Sequence, residues 1–132
     1  MKIKAGQTYI AKRDEIINPK PKYHLYLSND IVFLINSDHS FFDFNIALDK
    51  NDCPIFTKNC FLQVQSIYKY DNKYNIIQVA DMSDRALKAL NNYLKDKSFK
   101  KSIPKIYVDR AIGIIETCLA TRNKDKYKTG GL

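Results

Sequence analysis

No stretch of this 132-residue chain approaches the roughly 20 consecutive apolar residues needed to span a bilayer, and the opening "MKIKAGQTYIAKRDE" lacks the apolar middle of a signal peptide. Both absences point to a cytoplasmic protein with no membrane partner. Cysteine is scarce: Cys53, Cys60 and Cys118 are odd in number and irregularly spaced, which fits reduced core thiols better than a disulfide framework. Histidine is scarcer still. His24 and His39 do not form a helical His-x-x-x-His pair, and Cys53 and Cys60 stand too far apart for a zinc knuckle, so neither a metal nor another cofactor is expected. There is no internal repeat and no interdomain linker. The length suits a single domain, assigned to residues 1–121, followed by a polar tail, 122–132, that is expected to be disordered.

What is present is apolar content sufficient for a core, 45% of the chain, and an excess of positive charge. The 22 basic residues against 14 acidic ones leave a net charge of +8, which predicts attraction to a polyanion. The basic residues are densest in "KIKAGQTYIAKR", "KDKSFKKSIPK" and "RNKDKYK". Most of them are lysine, which also serves solubility, so charge alone does not identify a nucleic-acid binder.

The first half reads as strands: "TYIAK" (8–12), "YHLYLS" (23–28), "IVFLINS" (31–37), "FNIAL" (44–48), "FLQVQSIYKY" (61–70) and "YNIIQVA" (74–80), all rich in β-branched and aromatic residues. Turn signals separate them: "NPKP", "SND", "DKND" and "DNK". Such short connections favour an antiparallel, strongly bent sheet or barrel over a parallel one. The period then changes. Ser83 is placed to cap a helix running to about Lys95 with Ala86, Leu87, Leu90 and Leu94 on one face. A second helix should start near Pro104 and reach about Thr121, with Val108, Ala111, Ile112, Ile115 and Leu119 in one stripe. Ile106, Ile114 and Cys118 widen that stripe, so part of the helix could face a partner subunit. The fold class is α+β, with about five or six strands followed by two C-terminal helices.

One strand carries the strongest hint of chemistry. Alternation along "KYHLYLS" puts Lys22, His24 and Tyr26 on one face and Tyr23, Leu25 and Leu27 on the other. The first set offers a phosphate-binding cation, a group that titrates near neutrality, and a stacking ring.

The order of these pieces resembles the MazF/PemK toxin family. "AGQTYIA" is similar to that family's first strand, "KPKYHLYLS" to its basic approach to the second, and "VFLINS" to its strand ending in Thr-Ser. "KNCFLQVQSIYKYD" resembles its late strand, and "IIQVADMSDRALKALNNYL" its short strand and Leu-rich helix. The likeness spans about residues 5–95 and rests on order, since each motif alone is weakly specific. It implies a small SH3-like barrel, usually homodimeric, that cuts single-stranded RNA without a metal and is silenced by an antitoxin. Lys22 falls where the family has a catalytic arginine, and Asn36 or Ser37 where it has a phosphate-orienting hydroxyl. The family's Arg-Pro is Lys22-Tyr23 here, and a lysine presents a point charge in place of a planar fork.

These readings assign catalysis to Lys22, His24 and Ser37, and RNA contacts to Arg13, Lys20, Tyr26, Asn36, His39 and Lys58. Each has a plainer explanation: Lys22 as a solvated strand-edge lysine, His24 as a core histidine, Asn36 and Ser37 as turn-formers, and Tyr68 and Tyr70 as completing the sheet surface. Two functions follow. One is a toxin-like, metal-independent endoribonuclease. The other is a catalytically inactive barrel serving as a nucleic-acid-binding or protein-interaction module in phage defence or toxin regulation.

Overall fold

The computed structural model describes residues 2–13, 21–37, 45–98 and 102–130, with the side chains of Arg13, Tyr74 and 126–130 outside that description. Lys20 and His39 also lie outside the described residues. Among the described residues six strands run in chain order: β1 (Gln7–Arg13), β2 (Lys22–Ser28), β3 (Ile31–Asn36), β4 (Asn45–Leu48), β5 (Cys60–Gln63) and β6 (Tyr74–Asp81). Two helices follow, α1 (Asp84–Lys95) and α2 (Lys105–Gly130). All pairings are antiparallel and the sheet order is β4-β5-β3-β2-β1-β6. The expected α+β class is therefore observed, and among the described residues no helix is long and apolar enough to cross a membrane.

Strand alternation divides the sheet into two unlike faces. Leu25, Leu27, Ile31, Phe33, Ile35 and Leu62 point to one side and are almost fully buried beneath the helices, where Leu87, Leu90, Ala111 and Ile115 meet them. The apolar stripes read from the sequence are the faces the helices bury. Of the three residues that widened the second stripe, Ile114 and Cys118 pack on this core, while Ile106 is 67% exposed. A second, smaller cluster of Tyr9, Ala11 and Val32 covers part of the opposite face, with Tyr26 and Tyr70 against it.

The sheet is open. Its edge strands β4 and β6 do not pair with each other among the described residues, so the expected barrel closure is not observed. Backbone and side-chain bonds link the segments that follow β4 and β6. Ser83 N–H, just past β6, donates to Asp52 O, just past β4 (2.7 Å), and the Cys53 thiol lies 3.8 Å from Ala80 O. Asp52 is 3% exposed and accepts hydrogen bonds from Ser83 Oγ (2.6 Å), Asp49 N (2.9 Å) and Arg85, through Nε (3.0 Å) and Nη2. Ser83 Oγ in turn accepts from Ala86 N (3.1 Å), the N-cap bond that starts α1.

Two elements depart from the sequence reading. The run 61–70 is not one strand: β3 advances three residues from Ile35 to Val32 while its partner advances six, from Leu62 to Tyr68, and the surplus leaves the ladder. Pairing resumes at Tyr68 with two bonds to Val32 (2.8 and 2.9 Å). The second difference is in α2, which continues to Gly130, through residues expected to form a tail. Lysine and arginine are good helix formers even where apolar content is low. Arg122 also ties this turn down, donating to Met82 O (2.6 Å), Asp84 Oδ1 (2.8 Å) and Gly6 O (3.4 Å).

Candidate functional site

The antiparallel register sorts the outer face of the sheet into rows. One row runs Val79, Tyr9, His24, Leu34 across four strands. Two residues along, Ala11 stands opposite Lys22, the Tyr23–Ile35 pair puts Lys22 beside Asn36, Asn36 pairs with Phe61, and Phe61 with Ala47. A cation, a carboxamide and an aromatic ring thus occupy consecutive strands of one row, with Lys22 and Phe61 backbones about 10 Å apart at two strand spacings. Lys22 is exposed, while Asn36 and Phe61 are half-buried. Ser37, exposed, continues the chain just beyond Asn36.

The register therefore brings Lys22, Asn36 and Ser37 to one end of the sheet. Arg13 reaches that end through its backbone, paired with Tyr74. Lys58 is exposed and lies two residues before β5; the next residue, Asn59, lines a groove of about 490 Å³ between β4, β5 and the start of α1. Phe61, Asn59, Asp49 and Arg85 line it. Burial pushes the Cys60 thiol up to about 12; the neighbouring Asp52, Cys53 and Asp49 add to that, and the Lys58 charge opposes it.

Tyr26 is not part of this group. It stands four residues from Lys22, roughly 13 Å along the strand. Its hydroxyl donates to Asn29 Oδ1 (2.6 Å) at the opposite turn, and its ring meets the edge of Tyr70 (5.7 Å between centroids).

His24 requires a correction. It was expected to titrate near neutrality on an open face, but it is 5% exposed and its ring stacks on Tyr9, with centroids 4.8 Å apart and planes 10° apart. Burial is the main reason its pKa is lowered to about 4, with the Lys22 charge adding to the effect and a hydrogen bond involving the Lys22 backbone opposing it. The imidazole is therefore neutral at physiological pH and enclosed by the smaller aromatic cluster. Alternation correctly put His24 on the face of Lys22 and Tyr26; what it could not show is that the Tyr9 ring stacks on His24 and that Tyr70 meets the edge of Tyr9.

The sequence reading also passed over Phe61, Asn59 and Arg85. Phe61 carries a usable signal, since it alternates with the core residue Leu62 and so must face outward. Asn59 and Arg85 come from a loop and a helix start that only the folded chain brings together. Among the described residues no group of three His, Cys, Asp or Glu side chains could hold a metal ion.

Fold and site together define an α+β domain with an open antiparallel sheet and a row of polar and aromatic groups at one end of it. Comparison with protein-family models, curated proteins and solved structures gives no match.

Proposed function

We propose that this chain binds single-stranded RNA at the end of its sheet marked by Lys22, Asn36 and Phe61, with Lys22 holding phosphate and Phe61 stacking a base. The row Lys22–Asn36–Phe61 carries the reading: it offers a cation, a hydrogen-bonding amide and a ring at spacings a flexible strand can follow, in a chain of net charge +8. The test is fluorescence anisotropy with a labelled single-stranded RNA over a salt series. Wild type should bind with a steep salt dependence, Lys22→Ala should bind more weakly, and absence of binding at low salt would refute the reading.

A second reading, the toxin-like metal-independent endoribonuclease, is favoured by the juxtaposition of Lys22 with Asn36 and Ser37. In that reaction the ribose 2′-oxygen bonds to phosphorus and the bond to the 5′-oxygen breaks, leaving a 2′,3′-cyclic phosphate and a 5′-hydroxyl. A base must take the 2′-hydroxyl proton and an acid must protonate the leaving oxygen. Lys22, Asn36 and Ser37 would stabilise the charged phosphorane between these steps. His24 does not fit the proton-transfer role, because it is buried and its pKa is far below neutrality. This reading brings with it a MazF/PemK-like, SH3-like fold, an antitoxin, a homodimer and a cytoplasmic location. Incubation with long RNA in EDTA, followed by end-group analysis, separates the two: discrete cyclic-phosphate ends lost in Lys22→Ala and Ser37→Ala establish cleavage, whereas bound but intact RNA leaves binding alone.

A further inference from the structure

The groove beyond Phe61 has a chemical character that neither RNA binding nor cleavage requires. Its lining residues include an aromatic (Phe61), an amide (Asn59), an acid (Asp49) and an arginine (Arg85), together with the buried Cys60. The volume, about 490 Å³, lies within the range of small-ligand sites. Two of the polar groups, Asp49 and Arg85, are held in place before any ligand arrives. Asp49 Oδ1 accepts from Asn51 N (2.8 Å), fixing the carboxylate in its turn. Arg85 is clamped through Nε and Nη2 to Asp52, and through Nη2 to Ala47 O (3.0 Å). Those bonds do not involve Nη1. The Arg85 side chain remains 58% exposed.

We propose that this groove is a guanine subsite, in which the base stacks on Phe61 and presents its hydrogen-bonding edges to Asp49, Asn59 and Arg85. The inference rests on the RNA-binding reading and names the base that reading would select. Guanine alone among the four bases carries two adjacent donors, N1–H and the exocyclic N2 amine, which one carboxylate can accept together. Its O6 and N7 are acceptors, suited to a guanidinium or an amide donor. Adenine has an acceptor at N1, which would face the Asp49 carboxylate unfavourably, and uracil and cytosine offer it a single donor position. An acidic residue at a polyanion site opposes binding in general, so its presence there makes sense as a discriminating group. Phe61 is the cross-strand partner of Asn36, itself beside Lys22, so a nucleotide in the groove leaves its neighbour's phosphate within reach of that lysine.

The experiment is titration of the full chain with 5′-GMP, 5′-AMP, 5′-CMP and 5′-UMP, followed by amide NMR shifts and calorimetry. GMP should shift the amides of Asn59, Phe61 and Ala47 saturably and bind about tenfold more tightly than the other three. Asp49→Asn, which can keep the bond to Asn51, should abolish the preference for GMP. Asn59→Ala, at an exposed position, should weaken GMP binding without loss of fold. Equal affinity for all four nucleotides, no binding of GMP, or an unchanged preference in Asp49→Asn would each overturn the inference. The two readings fail separately: RNA binding that depends on Lys22 but ignores guanine removes the subsite and leaves the RNA reading standing. GMP binding with the stated variant effects, in a chain that does not retain RNA, keeps the subsite and removes the RNA reading.

Discussion

Tyr9 and His24 lie ring on ring across the β1–β2 pair, 10° from parallel, and this contact turns the most conspicuous histidine of the sequence into part of a small core. The unfolded chain binds a proton at His24 below about pH 6.5, whereas the folded chain resists it until about pH 4. Between those values the unfolded state holds more protons, so stability is lost as pH falls from 6.5 through 4. The full difference is about 3 kcal/mol at most, taking 1.36 kcal/mol per pH unit. We expect urea midpoints to fall across this window in wild type, and to fall less in His24→Phe, which keeps a ring against Tyr9 and removes the titration. Equal slopes for the two proteins would show that carboxylates, not His24, govern acid sensitivity.

Lys22 should behave in the opposite way. It is exposed at the start of β2, so Lys22→Ala should leave the urea midpoint within about 0.5 kcal/mol of wild type. RNA affinity should nevertheless drop, and the slope of log affinity against log salt should shallow by about 1, as expected when one phosphate contact is removed. An unchanged slope would exclude Lys22 from the phosphates.

The contrast between these residues shows what the sequence made legible. Period and turn signals located every strand start to within about two residues, and the Ser83 cap and both helix stripes were readable because they depend on local spacing. The face shared by Lys22, His24 and Tyr26 was readable for the same reason. What could not be read depends on residues distant in sequence: Tyr9 stacking on His24, β5 breaking before Tyr68, and Asp52 joining Ser83. The groove of Asn59 and Arg85 belongs to this second kind, assembled from a loop and a helix start.

Asp52 offers a stability test of its link to Ser83. Its burial alone would raise its pKa, but hydrogen bonds from Arg85, Ser83 and the Asp49 backbone outweigh this and hold the carboxyl below its ordinary value. Its contribution is therefore present above the ordinary carboxylate range and lost as pH falls through the folded value. Asp52→Ala strands the Ser83 hydroxyl and the Asp49 N–H and should cost about 2 kcal/mol or more at pH 7, measured by chemical denaturation. Ser83→Ala, which removes the helix cap and one of these bonds, should cost about 1 kcal/mol. Because Asp52 and Ser83 share a bond, the double variant should lose less than the sum of the two. Strict additivity would mean that Asp52 and Ser83 are not a coupled unit.

Gly6 and Arg122 test whether the far end of α2 belongs to the fold. Gly6 has φ +86°, a backbone conformation that glycine adopts without a side-chain clash. A Cβ there would also stand 3.3 Å from Cys118 Sγ and 3.4 Å from an Arg122 nitrogen, both on α2. Gly6→Ala should therefore destabilise by about 1 kcal/mol from backbone conformation, with a further loss as α2 is pushed from the sheet. Arg122→Ala removes the donor to Met82 O and the ion pair with Asp84, and should lower stability by about 1–2 kcal/mol, since Arg122 is only 26% exposed. A chain ending at Thr121 should lose at least as much. Were residues 122–130 a tail that merely follows the domain, both Arg122→Ala and the truncation would unfold at the wild-type urea concentration, and amide exchange along α1 and β1 would be unchanged.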